Sequence, residues 1–346
     1  MVNIEKSLNM PPEIDPALLR ALSLDSSNTS IHAHGGSGFA STFRLTTPTT
    51  SIFVKTASGP ESAVMFEGEH ASLNAIHSAI PSLCPKSFAW GKMDAAGDKY
   101  FLATEFLDLG SSGRRSSSSK GGSGQSLAQK LAKLHTTPAP ITEGYQTPMF
   151  GFPVTTCCGD TPQDNTFEAS WADFFGKHRL LAILDRSEKR NGKDPQLRKV
   201  VEKTVAQVVP RLLGDGHLGG KEGIKPVVVH GDLWSGNKGR GTLIGRDASH
   251  PDQARGAVEE VIFDPSASYA HHEFEQGIMQ MFGGFSPSMM KEYHSLCPVT
   301  EPVSEHEDRV ALYESYHHLN HFSIFGGGYK SSAMKILERL NRNYGS

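Results

Sequence analysis

The stretch Val227-Val228-Val229-His230-Gly231-Asp232-Leu233-Trp234-Ser235-Gly236-Asn237 decides the reading of this chain. Its three β-branched apolar residues are too few for a buried helix and predict a buried strand. That strand delivers the chain to a loop bearing His, Asp and Asn. Asp232 and Asn237 have the D-x-x-x-x-N spacing of a phosphoryl-transfer loop. An aspartate there sits beside an attacking hydroxyl and accepts its proton, and an amide oxygen five residues on can bind a metal. Downstream, Glu260-Val261-Ile262-Phe263-Asp264-Pro265 reads as a second short strand ending in an aspartate. Mg²⁺ between phosphates requires hard oxygen ligands, so Asp264 joins Asn237 as a candidate metal ligand. Taken alone, each of these residues would read as a turn or cap residue. Their combination on two strands favours chemistry.

Upstream, Gly35-Gly36-Ser37-Gly38 lies before the strand-like Thr42 to Leu45. Such a loop lets backbone amides approach phosphates, although the full G-x-G-x-x-G is absent because Ser41 holds the third position. Lys55 ends Ile52-Phe53-Val54-Lys55, a strand-borne lysine. The segment Ser62 to Ile80 repeats apolar residues at helical spacing (Met65, Phe66, Leu73, Ile76, Ile80) and stops at Pro81. It offers Glu67 and Glu69 as partners for Lys55, with Glu69 preferred because Leu73, one turn on, anchors that face. Lys99 to Leu107 reads as a strand entering an interlobe hinge, where Glu105, Phe106 and Leu107 are candidates to meet adenine.

Residues 30 to 107 thus predict strand, strand, helix, strand, strand, and helices dominate after 127. The expected fold is α+β and bilobal, like a protein kinase. A small antiparallel-sheet, nucleotide-binding lobe takes 1–107 and a mainly helical lobe with the catalytic loop takes 127–346. Between them, 108–126 carries GSSGRRSSSSKGGSG (110 to 124), whose composition predicts a flexible insertion. Phe167 to Arg190 predicts one long amphipathic helix whose aromatic stripe is core, with Trp171 or Arg179 as possible cleft residues. The Lys238 to Ala257 connection predicts a hairpin behind the metal site.

With 34 basic and 37 acidic residues, a formal charge of −3 argues against a nucleic-acid or polybasic membrane binder. No run is apolar enough for a membrane span, and Met1 to Asp15 does not read as a targeting signal. Cys84, Cys157, Cys158 and Cys297 show no metal-ligand spacing, and the adjacent Cys157 and Cys158 read as a buried structural pair. A reducing, cytoplasmic setting is expected. The histidines at 271, 272, 317, 318 and 321 lack the further ligands of a zinc set in sequence. Oligomeric state is not legible.

The segments HGDLWSGN (230 to 237), FVK (53 to 55), MFEGE (65 to 69), LAKLH (131 to 135), TTCCGDTPQ (155 to 163), WADFFGKHRL (171 to 180), FDPSASYAHHEFE (263 to 275) and MFGGF (281 to 285) together resemble the fructosamine kinase (ketosamine-3-kinase) family. That family lies within the aminoglycoside-phosphotransferase-like kinases. The resemblance implies an ATP- and Mg²⁺-dependent kinase of the 3-hydroxyl of ribulosamine or fructosamine adducts on protein lysines or small amines, leading to deglycation. It implies Asp232 as base, Asn237 and Asp264 as Mg²⁺ ligands, and Lys55 with Glu69 as the phosphate-positioning pair. Gly36, Ser37 and Gly38 approach the nucleotide, Trp234 offers a wall for the sugar, and His230 braces the loop. Family members often carry a redox-sensitive cysteine in the glycine-rich loop, and Phe39 stands near that place here. The alternatives are a kinase of the same fold acting on an aminoglycoside or amino alcohol, and a nucleotide-binding pseudokinase.

Overall fold

Alternation along Ser51–Ser58 (β3) buries Ile52, Val54 and Thr56 on one face and brings Lys55 out on the other. The computed structural model describes residues 13–36, 40–95, 97–109, 124–244 and 255–345. After a short helix Pro16–Leu22 (α1), β1 (Ser30–Gly36), β2 (Ser41–Thr46) and β3 form an antiparallel meander. Helix α2 (Pro60–Ala79) follows, then β4 (Ser87–Lys92) and β5 (Lys99–Asp108), which pairs with both β3 and β4. The strand at 30–36, one more than the periodicity predicts, is amphipathic only at Ile31 and sits at the sheet's edge.

The sheet does not stop at the hinge. The hairpin of β9 (Lys238–Ile244) and β10 (Arg255–Ile262) pairs through β9 with Phe106 to Asp108 of β5, giving the order β1-β2-β3-β5-β9-β10. The connection expected behind the metal site therefore extends the sheet of β1 to β5, although it comes from the segment expected to be the helical lobe. Its tip and all of the Gly/Ser insertion except Gly124 lie outside the described residues.

The rest is helical around two small β-pairs. These are β6 (Thr156–Cys158) with β7 (Thr161–Gln163), and β8 (Val227–Val229) with β11 (Ser268–Ala270). The helices are α3 (Leu127–Thr136), α4 (Trp171–Phe175), α5 (Ala182–Asn191), α6 (Pro195–Lys203), α7 (Val209–Leu213), α8 (Glu275–Phe282), α9 (Pro287–Leu296), α10 (His306–Phe325) and α11 (Tyr329–Tyr344). The fold is α+β and kinase-like. Two wide π-type turns, Gly176–Leu181 and Thr204–Val208, join α4 to α5 and α6 to α7 without breaking either helix. The long aromatic helix begins at Trp171, not 167, because Glu168 exchanges backbone hydrogen bonds with Phe150. Its Trp171, Phe174 and Phe175 are buried against Phe274 and Tyr313, so Trp171 is core and not a cleft residue.

A middle core joins Leu73 and Ile76 of α2 to Leu131 and Leu134 of α3, and takes in Leu233 and Ile262. Both functional loops are thereby nailed to packed elements. At the start of α3, Ser126 accepts the Gln129 amide at 3.2 Å while the Gln129 side chain accepts the Ser126 N–H, a complete capping box. Ser126→Ala is expected to destabilise the protein by about 1 kcal/mol, read as a lowered urea midpoint. An unchanged midpoint would show that solvent replaces the cap.

Candidate active site

Strand β8 ends at Val229, and the loop after it turns at Gly231 with φ of 79°. A Cβ there would meet the Ser266 carbonyl at 2.2 Å, so only glycine fits. His230 is fully buried. Its Nε2 lies 2.9 Å from the Phe263 carbonyl and its Nδ1 3.2 Å from the Asp232 amide nitrogen. A carbonyl only accepts and an amide N–H only donates, so the imidazole is neutral with its proton on Nε2. Burial keeps it so, holding its pKa below the ordinary value against the pull of Glu275. The ring braces one aspartate loop against the other.

Asp232 points its carboxylate to Asn237, whose Nδ2 donates to the Asp232 carbonyl at 2.9 Å and to its Oδ2 at 3.2 Å. On the other side the Cys158 thiol lies 3.8 Å from Oδ1. Withdrawal from water and then the nearby Asp264 charge push the Asp232 carboxyl up to about 8. Asn237 is buried, and its Oδ1 has no donor among the described residues. Phe263 N donates to the Asn237 carbonyl at 3.0 Å, which sets Asp264 beside the same loop. Asp264 is a non-glycine residue at φ of 57°, a conformation that costs about 1–3 kcal/mol and is retained where surroundings over-determine it.

Lys55 Nζ lies 2.7 Å from Glu69 Oε1 and 2.6 Å from Asp264 Oδ1. Burial alone would lower its pKa, but the two carboxylates outweigh it and hold the ammonium above its ordinary value. Of the two glutamates offered by α2, Glu69 makes the pair. Lys55, Glu69 and Asp264 share the wall of a cleft of about 430 Å³ with Gly35, Glu105 and Leu107. Phe106 is not part of that wall. Its ring packs on Phe53 and Ile244 with the Arg44 guanidinium 4.3 Å above it. The Glu105 N–H donates to the Lys86 carbonyl, and the Leu107 backbone faces Leu243 of β9. Gly36 closes β1, while Ser37, Gly38 and Phe39 lie outside the described residues.

Trp234 is 37% exposed, packs on Phe282 and covers Gly236, where a Cβ would strike its ring at 2.2 Å. The residue that sequence reasoning missed is Glu275. Buried at the start of α8, it accepts the N–H groups of His230 at 2.5 Å and Gly231 at 3.0 Å. The available signal was a carboxylate on the buried face between Phe274 and Ile278. His271, His272 and Glu273 offer ligand atoms within 4.8 Å of one another. Thr300 Oγ1 already spans both Nε2 atoms, and Arg309 pairs with Glu273 at 2.8 Å. All four cysteines are free thiols, Cys158 buried and Cys157 only partly so.

The chain matches the fructosamine kinase family over residues 12–343. It is 34% identical over 308 residues to the ketosamine-3-kinase of Mus musculus, covering 84% of this chain and 88% of that one. It is 33% identical over 310 residues to the chloroplastic protein-ribulosamine 3-kinase of Oryza sativa subsp. japonica, covering 90% and 78%. The crystal structure of a candidate fructosamine-3-kinase from Thermobifida fusca YX-ER1 aligns with a TM-score of 0.68 at 22% identity, over 95% of this chain and 99% of that one. At that identity the likeness speaks for the fold. With nearly the whole length matched, the chain belongs to the fructosamine kinase family and is an ATP-dependent phosphotransferase that acts on a hydroxyl group.

Proposed function

We propose that the protein phosphorylates the 3-hydroxyl of ketosamines, the ribulose- or fructose-derived adducts of amines and protein lysines, and so begins their removal. One observation carries this reading. Asp232 and Asn237 meet in the loop after β8, and Asp264, held beside that loop, pairs with Lys55 at the wall of one cleft, on a chain of this family.

Asp232 is the group that accepts the proton of the sugar hydroxyl as its oxygen bonds to the γ-phosphorus. The bond from that phosphorus to the bridging oxygen breaks and ADP leaves. Burial makes the Asp232 carboxylate more basic than one in water, which suits it to take that proton. Asn237 holds Oδ2 of this carboxylate, and Cys158 flanks Oδ1. Lys55, oriented by Glu69, is placed to meet the nucleotide phosphates. The Asn237 Oδ1, without a donor among the described residues, and the half-exposed Asp264 carboxylate are hard oxygen donors, which suit Mg²⁺. When bound there, Mg²⁺ would neutralise charge on the phosphates. Lys55 meets one Asp264 oxygen at 2.6 Å. The exposed Trp234 face suits the apolar side of a sugar ring. A phosphate placed next to the ketose carbonyl is labile: enolisation toward the amine-bearing carbon expels it, and water then hydrolyses the resulting imine to release the amine.

The four free thiols fit a reducing compartment such as the cytosol, and no helix among the described residues is long and apolar enough to cross a membrane. The test is turnover by purified protein with ATP and Mg²⁺ on ribulosyl- and fructosyl-amines, aminoglycosides and amino alcohols. Ketosamine turnover, with the phosphate located on O3 by NMR, is the expected result. Aminoglycoside or amino-alcohol turnover alone would overturn the substrate, and nucleotide binding without any turnover would make the chain a pseudokinase.

A further inference from the structure

Away from the nucleotide cleft, a second cavity of about 280 Å³ opens between the β6–β7 hairpin, the helix from Trp171 to Asn191, and α10. Thr161, Gln163, Arg179, Arg186, Lys189 and Tyr316 contribute to its wall. Three of them hold a buried polar atom with no hydrogen-bond partner among the described residues: Thr161 Oγ1, Arg179 Nε and Arg186 Nε. A fourth is half satisfied. The Tyr316 hydroxyl accepts from Gln163 Nε2 at 2.7 Å, and its own proton has no acceptor among the described residues. Buried polar groups are nearly always paired, so four incomplete groups around one cavity require a cause.

Arg179 sharpens the point. It lies in the wide turn between α4 and α5 and is 1% exposed. Its Nη atoms donate only to the Asp164 and His178 carbonyls (2.9 and 3.0 Å) and to Asn165 Oδ1 (2.8 Å), and its plane lies over Phe174. It forms no ion pair among the described residues. A guanidinium stays protonated, and a buried ion without a counter-ion is costly. The carboxylates near the rim are committed elsewhere. Asp164 meets His178 at 2.7 Å, Asp185 meets Arg198 at 2.7 Å, and Asp160, paired with Arg186, also holds Arg190. Lys189 adds an exposed cation at the mouth.

We propose that this cavity is a second ligand site, which takes a small oxyanion, a carboxylate or a phosphate. Its wall sets Arg179, Arg186 and Lys189 against Asp164 and Asp185, a net positive charge that an oxyanion offsets, and the incomplete N–H and O–H donors lie directly behind that wall. Two sources share that chemistry: a carboxylate on the amine carrier of the substrate, or free phosphate. The cavity backs onto the hairpin whose Cys158 touches Asp232, so either source would lie one layer behind the proposed base.

The binding test needs no turnover and therefore stands apart from the proposed substrate. With ADP and Mg²⁺ filling the nucleotide cleft, inorganic phosphate or acetate is titrated while the thermal midpoint is followed, with chloride at equal ionic strength as control. Saturable stabilisation by the oxyanions is expected. It should weaken about ten-fold in Thr161→Val/Tyr316→Phe, which keeps the shape and removes two donors. Lys189→Ala, on the exposed rim, should weaken it in the same direction should the double variant fail to fold. Where the anion belongs to the substrate, phosphate competes with a carboxylate-bearing ketosamine such as fructosyl-lysine and not with a fructosyl-alkylamine. Where it is free phosphate, neither is displaced. Stabilisation no greater than chloride gives, or equal in wild type and every folded variant, would overturn the site.

Discussion

Asp232→Asn is expected to lower kcat by ~10²- to 10⁴-fold, the usual contribution of a positioned base. The substitution keeps the shape that Asn237 and Cys158 contact and removes only the capacity to take a proton. Nucleotide affinity should change little, because Asp232 does not line the cleft that holds Lys55. Asp264→Ala should behave differently. It removes a wall of that cleft and one of the two carboxylates on Lys55, so Mg²⁺-nucleotide binding should weaken along with kcat. Steady-state kinetics with varied ATP and Mg²⁺ separates the two patterns. Wild-type kcat in Asp232→Asn would remove it from the role of base.

The second large effect is structural and lies under the same loop. Glu275→Ala leaves the amides of His230 and Gly231 buried without an acceptor, at about 1–3 kcal/mol each, or ~2–6 kcal/mol together. A lowered urea midpoint and a catalytic loop open to amide exchange are expected. Burial pushes the Glu275 carboxyl up, but the contact with His135 and the His230 amide outweigh it and leave it below its ordinary value. A depressed carboxyl stabilises the folded state above the unfolded pKa of about 4.3, and that contribution fades as pH falls through the folded pKa. Wild type should therefore lose stability in acid more steeply than Glu275→Gln, in stability measured against pH. Parallel curves would show that the amides, and not the charge, set the contribution.

Much of this was legible from local pattern. The helical spacing from Ser62 to Ile80, the strand carrying Lys55 and the loop from His230 to Asn237 each state their own structure within one short stretch of chain. Glu69 was separable from Glu67 because the same periodicity that buries Leu73 turns Glu69 toward β3. What escaped was non-local. β1 carries a single strongly apolar residue on its buried face and is stabilised by pairing with β2, so alternation did not mark it. Phe106 was expected in the cleft because strand position alone does not say which face meets Ile244 of the hairpin, 138 residues later. Glu275 is recognisable only once Gly231 and His230 are seen to bring their amides to it. Burial of a charge is a property of the partner, which the local sequence does not display.

The hairpin β9–β10 begins directly after Asn237 and ends two residues before Asp264, while its first strand is stitched to the end of β5. In a bilobal enzyme the connector at the end of β5 is where one half would swing on the other. Here that connector is splinted by a strand that is itself rooted in the catalytic loop. Opening by rotation at this point would peel β9 from β5 or drag Asn237 and Asp264 along with the upper half. The consequence is mechanical: wide clamshell motion is resisted, and the candidate metal ligands travel with the roof above them. Exchange of nucleotide should then depend on small displacements at the rim of the cleft, and a cross-link between β5 and β9 should leave turnover largely intact.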